Sequence, residues 1–311
     1  MKPLLFALED PHGLAEGLLR HTGFDAGEIE RRQFPDGESY VRLLTPSEGR
    51  DVLLLCSLNQ PDTKTLPLFF AADAARAQGA RSVGLVAPYL AYMRQDKAFR
   101  PGEAVTSQTY SRLLSNHFDW LVTVDPHLHR YPRLDAIYSI PAIAASAVAP
   151  IAEWIGENVD RAFLIGPDIE SEQWVEEIAG LAAVPFTVFH KTRQGDREVR
   201  IEGTKAPIPA DAMPVIIDDI ASSAETMIEA VRLLQQNGIR PPLCITVHAL
   251  FAGDAFSRLL EAGPSAIVST NTVAHHSNAI DVSAVVAKAV LQVLEEPRPK
   301  TRQNVAGTES N

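Results

Sequence analysis

The segment VIIDDIASSAETM, residues 215–227, joins an apolar run to two adjacent aspartates, a turn of small residues and the start of a helix. The apolar run predicts a buried strand, and Asp218 and Asp219 lie where that strand ends. Carboxylates there could hold sugar hydroxyls, while residues 222–226 and the following helix N-terminus could bind a phosphate. The simpler alternative is a strand end that carries two solvated carboxylates.

The length and composition indicate which classes of protein this chain can belong to. The chain has 311 residues, a length typical of two domains, with 46% hydrophobic and 22% charged residues. This balance predicts globular domains with sizeable cores. The net charge of -11 argues against a general nucleic-acid or acidic-membrane surface, because such surfaces need clustered Lys and Arg. A small anionic ligand needs only a local basic patch and is not excluded.

The cysteines and the N-terminus suggest the reducing cytosol. Cys56 and Cys244 each lie inside an apolar run, which predicts buried thiols rather than a disulfide or a metal pair. Residues 1–13 contain too short an apolar run, and their acids come too early, for a signal peptide. No stretch approaches 18 apolar residues, so we expect no membrane-spanning helix.

Short runs rich in Val, Ile and Leu alternate with amphipathic helical stretches along most of the chain. This pattern predicts an α/β fold whose mainly parallel sheets are flanked by helices. The predicted strands include 4–8, 52–57, 82–87, 120–125, 162–166, 187–191, 215–218, 243–249 and 266–270. The predicted helices include 62–78, 106–116, 143–154, 169–181, 223–236 and 282–295. The polar tail at 296–311 begins with prolines and is predicted to be disordered.

A weak internal repeat indicates that one domain occurs twice. QGARSVGLVAPY (78–89) resembles NGIRPPLCITVHAL (237–250) at an offset of 159, and SRLLSNHFDWLVTVD (111–125) resembles SRLLEAGPSAIVSTN (257–271) at an offset of 146. The difference, 159 − 146 = 13, predicts a 13-residue insertion at YMRQDKAFRPGEA (92–104). The alternative is chance similarity between short α/β segments.

The repeat divides the chain into two predicted domains. The N-terminal domain covers 1–141 and carries a long loop at 88–106, and the C-terminal domain covers 142–295. We expect its last helix, 282–295, to pack on the N-terminal domain. A loop of this length inside a compact domain is usually functional, although it could be a solvated excursion.

Cationic side chains occur in the long loop and again near residue 190. Arg94, Gln95 and Lys97 could hold triphosphate oxygens, since Arg offers a bidentate fork and Lys a point charge. Lys191 and Arg193 fall on one face of an extended segment, because side chains alternate along a strand. Two neighbouring cations favour a phosphate between them, while a solvated edge is the alternative.

Polar residues also follow two other predicted strands. Asp125, His127 and His129 come after the strand at 120–125, at the carboxyl edge where α/β sheets bind ligands. An aspartate with a histidine two residues later could ligate a metal, but the pattern alone is not specific. Asp168 takes the corresponding place after the strand at 162–166.

An ordered set of motifs resembles the ribose-phosphate diphosphokinase, or phosphoribosyl diphosphate synthetase, family. It extends over roughly residues 30–290 and consists of FPDGE (34–38), PY-x-x-Y-x-RQDK (88–97), TVD-x-H (123–127), PD (167–168), K-x-R (191–193), DDI (218–220) and NAIDVS (278–283). The resemblance implies two tandem domains of the phosphoribosyltransferase type. It also implies transfer of the β,γ-diphosphoryl group of ATP to the 1-hydroxyl of ribose 5-phosphate.

The resemblance assigns ATP to the N-terminal domain. The turn at 34–38 would contact the adenine and would reach into a neighbouring subunit's site, which implies a homo-oligomer, a dimer or larger, with the ATP site near a subunit interface. The implied ATP-binding residues are Phe34, Asp36, Gly37, Glu38, Arg94, Gln95, Asp96 and Lys97.

The resemblance assigns the acceptor and the catalytic groups to the C-terminal domain. Lys191 and Arg193 would neutralise charge on the transferred group, with Arg193 also near the ribose 5-phosphate. Mg²⁺ would be linked to His127 and Asp168, although an imidazole is an atypical ligand for this hard cation. The implied acceptor-binding residues are Asp218, Asp219, Ser222, Ser223, Ala224, Glu225 and Thr226.

Two departures from the family pattern bear on this assignment. The phosphate loop at 222–226 has no glycine and carries Glu225, where the family has Asp-Thr-Gly-Gly-Thr. We expect a working variant whose φ angles suit L-residues and whose Glu225 points away from the phosphate. Glu170 and Ser171 replace a glycine pair after Asp168. The variant loop makes a non-catalytic regulatory homologue an alternative. An ordinary phosphoribosyltransferase is the last alternative, because that class normally has a single domain and lacks the RQDK loop and the KTR pair.

Overall fold

The computed structural model describes residues 1–128, 130–189, 191–194, 198–201 and 208–296. The first half contains, in chain order, β1 (Leu4–Ala7), α1 (Leu14–Thr22), β2 (Asp25–Gly27), β3 (Ile29–Gln33), β4 (Ser39–Leu43), β5 (Asp51–Leu55), α2 (Pro61–Ala77), β6 (Ser82–Ala87), α3 (Thr106–His117), β7 (Trp120–Val124), a 3₁₀ turn (Leu134–Ala136), β8 (Ala142–Ala145) and α4 (Val148–Asn158). The second half contains β9 (Ala162–Gly166), a 3₁₀ turn (Ile169–Ser171), α5 (Glu172–Ala182), β10 (Phe186–Val188), β11 (Lys191–Gln194), β12 (Glu198–Ile201), β13 (Met213–Ala221), α6 (Glu225–Gln236), β14 (Leu243–Ala249), α7 (Ala255–Glu261), β15 (Ala266–Thr270), β16 (Asn278–Ile280) and α8 (Ser283–Glu295).

The two halves have the same topology. The first sheet has the strand order β2-β1-β5-β6-β7-β8, and the second has β10-β9-β13-β14-β15-β16. All neighbouring strands in both sheets are parallel. Each half also inserts an antiparallel hairpin before its third sheet strand, β3–β4 in one and β11–β12 in the other. The predicted duplication is therefore confirmed, and with it the parallel α/β fold.

The halves share one apolar core, because each places its last helix on the other. Helix α4 lies against α5 and β16 of the second half, while α8 lies against α1, β7 and β8 of the first. Buried residues from both sheets and from these four helices form one continuous hydrophobic cluster. The strands that contribute to this cluster are mainly apolar at successive positions, since parallel sheets are covered on both faces. This packing fixes the carboxyl edges of the two sheets relative to each other.

The structure corrects the prediction at two places. The sequence predicts a helix at 143–154. Instead, residues 142–145 form β8, and α4 begins at Val148. Pairing with β7 determines the strand, because a sheet neighbour overrides weak local propensity in an alanine-rich segment. β8 is thus the edge strand of the first sheet. The predicted strand 187–191 is divided between β10 and β11.

The predicted insertion in the long loop is confirmed. Residues 88–105 separate β6 from α3, whereas only 250–254 separate β14 from α7, so the difference is 18 − 5 = 13 residues. His129, the side chains of Lys191 and Arg193, and the tail at 297–311 lie outside the described residues, and so do the predictions made for them. Within the described ranges, no helix is long and apolar enough to cross a membrane.

Candidate active site

The paired aspartates lie at the carboxyl end of the central strand of the second sheet. β13 pairs with β9 on one side and with β14 on the other, where Asp218 lies opposite Thr246. Burial raises the pKa of Asp218 well above its usual range, and the charges of Asp219 and Asp168 raise it further. The Asp219 and Asp168 carboxylates therefore lie close enough to Asp218 to disfavour its ionisation. A ligand that brings positive charge or donates hydrogen bonds would relieve this repulsion.

His127 brings the first half of the chain to this strand end. Its Nδ1 lies 3.0 Å from Oδ2 of Asp219, so the loop that follows β7 contacts the end of β13. The loop begins at Asp125, which has a left-handed φ of 34° and whose Oδ2 accepts the N–H of Ala147 at 2.7 Å. The sequence predicted His127 and the aspartate pair separately, and the tertiary structure joins them.

Asp168 follows β9, which lies next to β13. Its Oδ1 accepts the N–H of Ser171 at 3.2 Å, and the Ser171 hydroxyl donates to the Asp168 carbonyl oxygen at 2.6 Å. A Cβ on Gly166 would clash with Ser171 Oγ, so a larger residue at that position would displace the Ser171 side chain. Although Ser171 replaces a glycine of the family pattern, it closes the turn that holds Asp168 at the strand end.

The loop at 222–226 leads from β13 into α6. Ala224 lies at the N-cap of α6 with φ 58° and ψ 13°, a left-handed conformation that costs an L-residue energy because of its Cβ. The expectation that this loop keeps to φ angles favourable for L-residues is therefore wrong. Among the described residues no side chain forms a capping hydrogen bond at the N-terminus of α6, which leaves N–H groups of its first turn without a side-chain acceptor.

Glu225 forms an ion pair with Arg258 of α7. This pair engages the one acidic side chain of the loop and offsets its charge. Ser223 and Thr226 are exposed beside it, and their hydroxyls are accessible to a ligand. The anion-binding potential of the helix N-terminus is thus retained. Arg258 was not singled out in the sequence, because nothing local links residues 225 and 258.

The long loop reaches the same edge. Burial raises the pKa of the Tyr89 phenol, while Arg94 lowers it and Asp219 raises it, so both charges lie within electrostatic range of the ring. Arg94 itself is exposed. Two hydrogen bonds hold the loop against other segments of the first half. Gln95 Oε1 accepts from Thr106 Oγ1 at the start of α3 at 3.3 Å, and Asp96 Oδ1 accepts from Arg130 Nε at 3.0 Å. Lys97 lies over the ring of Phe99, with 5.0 Å from Nζ to the centroid.

The turn at 34–38 is the exposed tip of the β3–β4 hairpin. Gly37 has φ 94°, and its N–H donates to the Phe34 carbonyl at 2.9 Å. Phe34 is 38% exposed and has the guanidinium of Arg32 over its ring at 4.5 Å. Asp36 Oδ1 accepts the N–H of Glu38 at 3.2 Å. Within the described chain these contacts stay inside the hairpin, so the tip is not joined to the His127–Asp219 pair of its own subunit.

Sequence reasoning assigned no role to His248, which is buried at the junction of the two halves. The signal that could have identified it is the repeat itself. At the offset of 159, His248 corresponds to Tyr89 of the PY motif, and a histidine inside an apolar strand calls for a polar partner.

Two duplicated α/β domains with an acidic strand end beside a helix N-terminus define a protein of the phosphoribosyltransferase class. The family model described as the phosphoribosyl transferase domain matches residues 133–296, and the model of the N-terminal domain of ribose phosphate pyrophosphokinase matches residues 3–117. Together with the relatives described next, these matches show that the chain belongs to the ribose-phosphate pyrophosphokinase family.

Relatives match over nearly their whole length. The chain is 31% identical over 290 residues to the ribose-phosphate pyrophosphokinase of Methanopyrus kandleri, covering 92% of this chain and 98% of that protein. It is 32% identical over 282 residues to that of Saccharolobus solfataricus, covering 89% and 96%. The phosphoribosylpyrophosphate synthetase structure from Mycobacterium smegmatis aligns with a TM-score of 0.79 over 94% of this chain and 99% of that one. At 23% identity, this last likeness supports the fold.

Proposed function

We propose that this protein is a ribose-phosphate diphosphokinase of nucleotide biosynthesis. The 1-hydroxyl oxygen of ribose 5-phosphate attacks the β-phosphorus of ATP, the bond from that phosphorus to the α-phosphate oxygen breaks, and AMP leaves. The products are 5-phosphoribosyl 1-diphosphate and AMP. The observation that carries the proposal is the His127–Asp219 contact, which brings the two halves together at one strand edge in a chain of this family.

The acceptor side is built by β13 and α6. Asp218 and Asp219 accept hydrogen bonds from ribose hydroxyls, and the N-terminal amides of α6 bind the 5′-phosphate, helped by the Ser223 and Thr226 hydroxyls. The Glu225–Arg258 ion pair supports this proposal, because it offsets the one carboxylate that would repel the phosphate. Ala224 supplies the turn that glycines supply in the family pattern.

The ATP side is built by the long loop and a partner's hairpin. Arg94 and Lys97 are exposed and can hold phosphate oxygens, while the contacts of Gln95 and Asp96 fix the loop on which they lie. The exposed tip with Phe34, Asp36, Gly37 and Glu38 would contact adenine in a neighbouring subunit. A homo-oligomer, a dimer or larger, is therefore part of the proposal.

Lys191 and Arg193 would offset the charge of the diphosphoryl group during transfer. They lie on β11, in the hairpin that corresponds by topology to the one carrying Phe34. Each half would thus use the same inserted hairpin to bring side chains towards ATP. Positioning and charge compensation supply most of the catalysis in phosphoryl transfer.

A divalent cation fits the donor set at the strand edge. Among the described residues no group of three metal-binding side chains is preassembled, but Mg²⁺ keeps several waters and commonly uses one or two carboxylates together with substrate phosphates. Asp168 and the 218–219 pair offer hard oxygen ligands, and their mutual repulsion favours a cation. His127 would join them directly or through water. When bound, Mg²⁺ supplies charge neutralisation at the diphosphate.

Formation of AMP tests the proposal. The purified protein is incubated with ATP, Mg²⁺ and ribose 5-phosphate, and nucleotides are separated by chromatography. We expect AMP in equimolar amount with 5-phosphoribosyl 1-diphosphate, and little AMP with free ribose or without an acceptor. Absence of AMP would favour the alternative that the protein is a non-catalytic homologue. The glycine-free loop at 222–226 is the reason to consider it. Consumption of 5-phosphoribosyl 1-diphosphate with a free base would indicate a phosphoribosyltransferase. A cytoplasmic location stays a prediction from sequence.

A further inference from the structure

Tyr89 and His248 are equivalent residues of the two halves, and they contact each other. They are related by the repeat offset of 159, and their rings meet edge-on with centroids 5.0 Å apart at 67°. Tyr89 begins the loop that carries Arg94, whereas His248 lies near the end of β14, beside the strand that carries Asp219.

His248 forms three polar contacts from a buried position. It is 1% exposed, and its Nε2 lies 3.1 Å from the Val124 carbonyl oxygen and 3.3 Å from that of Asp125. Carbonyl oxygens only accept, so the proton is on Nε2 and is shared by these two. Nδ1 is then an acceptor and lies 2.9 Å from Oγ1 of Thr272, whose single hydroxyl proton is shared between this nitrogen and the Val247 carbonyl oxygen, also at 2.9 Å. Burial lowers the pKa of His248 to about 4, so the ring is neutral and has the single N–H that this arrangement needs.

These hydrogen bonds cross between the halves at the turn that leads to His127. Val124 ends β7, and Asp125 holds a left-handed φ of 34°. Such a conformation persists in a non-glycine residue only when its surroundings hold it. His248 holds the backbone of this turn, while the Ala147 N–H holds the Asp125 side chain. A second cross-link lies beside it, because the Ser57 hydroxyl donates to the Thr272 carbonyl at 2.6 Å.

We propose that His248 is a positioning residue for the diphosphoryl transfer. Through Nε2–H it holds the 124–125 backbone, and thereby His127, in register with Asp219, and through its ring it supports Tyr89 at the root of the ATP loop. The inference rests on the proposed function for its effect on turnover. Its structural part, the position of His127, does not depend on that function.

The test uses two variants and a matched control. His248→Phe keeps a ring against Tyr89 but removes the donor, while His248→Gln offers an amide N–H to the same carbonyls. Val231→Ala, which removes buried volume from α6, controls for general loss of stability. Turnover is measured under conditions where each variant is fully folded. Displacement of a positioned group by about 1 Å can cost about a hundredfold in rate.

We expect His248→Phe to lower kcat at least tenfold with less than a threefold change in KM for ribose 5-phosphate, and His248→Gln to recover part of the loss. In a His127→Ala background, His248→Phe should have no further effect on kcat, because it acts through His127. The ¹⁵N resonances of the His127 ring in metal-free protein should shift in His248→Phe and not in Val231→Ala.

Equal kcat in His248→Phe and Val231→Ala, or additive losses in the His127→Ala background, would overturn the proposal. If the wild-type protein makes no AMP, the proposed function fails on its own, and the His127 resonances still decide whether His248 positions that residue. Unchanged resonances in His248→Phe would then reject it.

Discussion

Nδ1 of His127 lies 3.0 Å from Oδ2 of Asp219, and the two residues belong to different halves of a duplicated chain. The contact is possible because α4 of the first half packs on the second half and α8 of the second half packs on the first. This packing brings the carboxyl edges of both sheets together. In the described part of the chain, the first half brings the long loop and the imidazole to this edge, and the second brings the acidic strand end and the helix N-terminus. The candidate active site is therefore built by both halves together.

We expect His127→Asn and Asp219→Asn to be non-additive. Each removes one partner of the pair, so each should reduce kcat/KM by at least tenfold, and the double variant should lose much less than the product of the two. The measurement is a double-mutant cycle at saturating Mg²⁺. Losses that multiply would show that the two groups act independently, in contradiction to the observed contact.

We expect Arg94→Ala combined with Lys97→Ala to raise the KM for ATP at least tenfold while the fold is retained. Both side chains are exposed, and loss of charged hydrogen bonds costs about 1.5–3 kcal/mol each. Arg133→Ala is the matched control, because this exposed arginine lies outside the loop and pairs with Asp135. The KM for ATP is measured by steady-state kinetics in the double variant and in Arg133→Ala. Equal KM values in these two variants would show that the loop does not contact ATP.

Ala224 should tolerate glycine and reject a branched residue. Glycine adopts φ 58° without strain, and this gain in stability offsets the loss of a buried methyl group. Because the loop conformation is kept, Ala224→Gly should leave the affinity for ribose 5-phosphate within about twofold. Ala224→Val places a β-branched side chain in a left-handed conformation and should lower the free energy of unfolding by about 2 kcal/mol. Urea unfolding and calorimetric binding provide the two readouts. Equal stability of the Gly and Val variants would contradict the left-handed conformation.

Lys191→Ala should lower kcat by at least a hundredfold and leave the dissociation constant for ATP nearly unchanged. The reason is the proposed role of the Lys191 and Arg193 charges, which would act mainly on the diphosphoryl group in the transition state. Thr192→Ala, on the residue between them, is the control. A Lys191→Ala protein with wild-type turnover would remove Lys191 from the mechanism.

Stability should fall with acid in a way that depends on His248. The unfolded chain protonates this imidazole near pH 6.5, whereas burial lowers its pKa in the folded protein to about 4, despite the nearby Asp219 and with a further contribution from His127. Between these values the unfolded state binds more protons, so the free energy of unfolding decreases as pH falls from 6.5 to 4, by up to about 1.4 kcal/mol per pH unit.

The His248→Phe variant lacks this contribution and should show a shallower pH dependence. Urea unfolding of metal-free protein at pH 7, 6 and 5 measures the slope. Parallel curves for the two proteins would mean that His248 is not buried as a neutral ring.

Much of the architecture could be predicted from local pattern. Apolar runs such as VLLLC at 52–56 predicted buried parallel strands, because a strand buried on both faces carries apolar residues at successive positions. The repeat predicted two equivalent sheets and located the insertion, both confirmed, and the family resemblance is confirmed as well. The failure at 142–145 has a physical cause, since those residues become a strand only by pairing with β7.

The class of fold, the order of its elements, the family and the residue types at each strand end follow from the sequence alone. These depend on hydrophobic periodicity and on short motifs, which are local in the chain. Three contacts became visible in the folded chain: α4 and α8 each pack on the other half, Arg258 pairs with Glu225, and His248 reaches the 124–125 turn. Arg258 and Glu225 are separated by 33 positions in the chain. His248 is more than 100 positions from the turn that it contacts. These contacts follow from the packing of the two halves against one core, which no local pattern encodes.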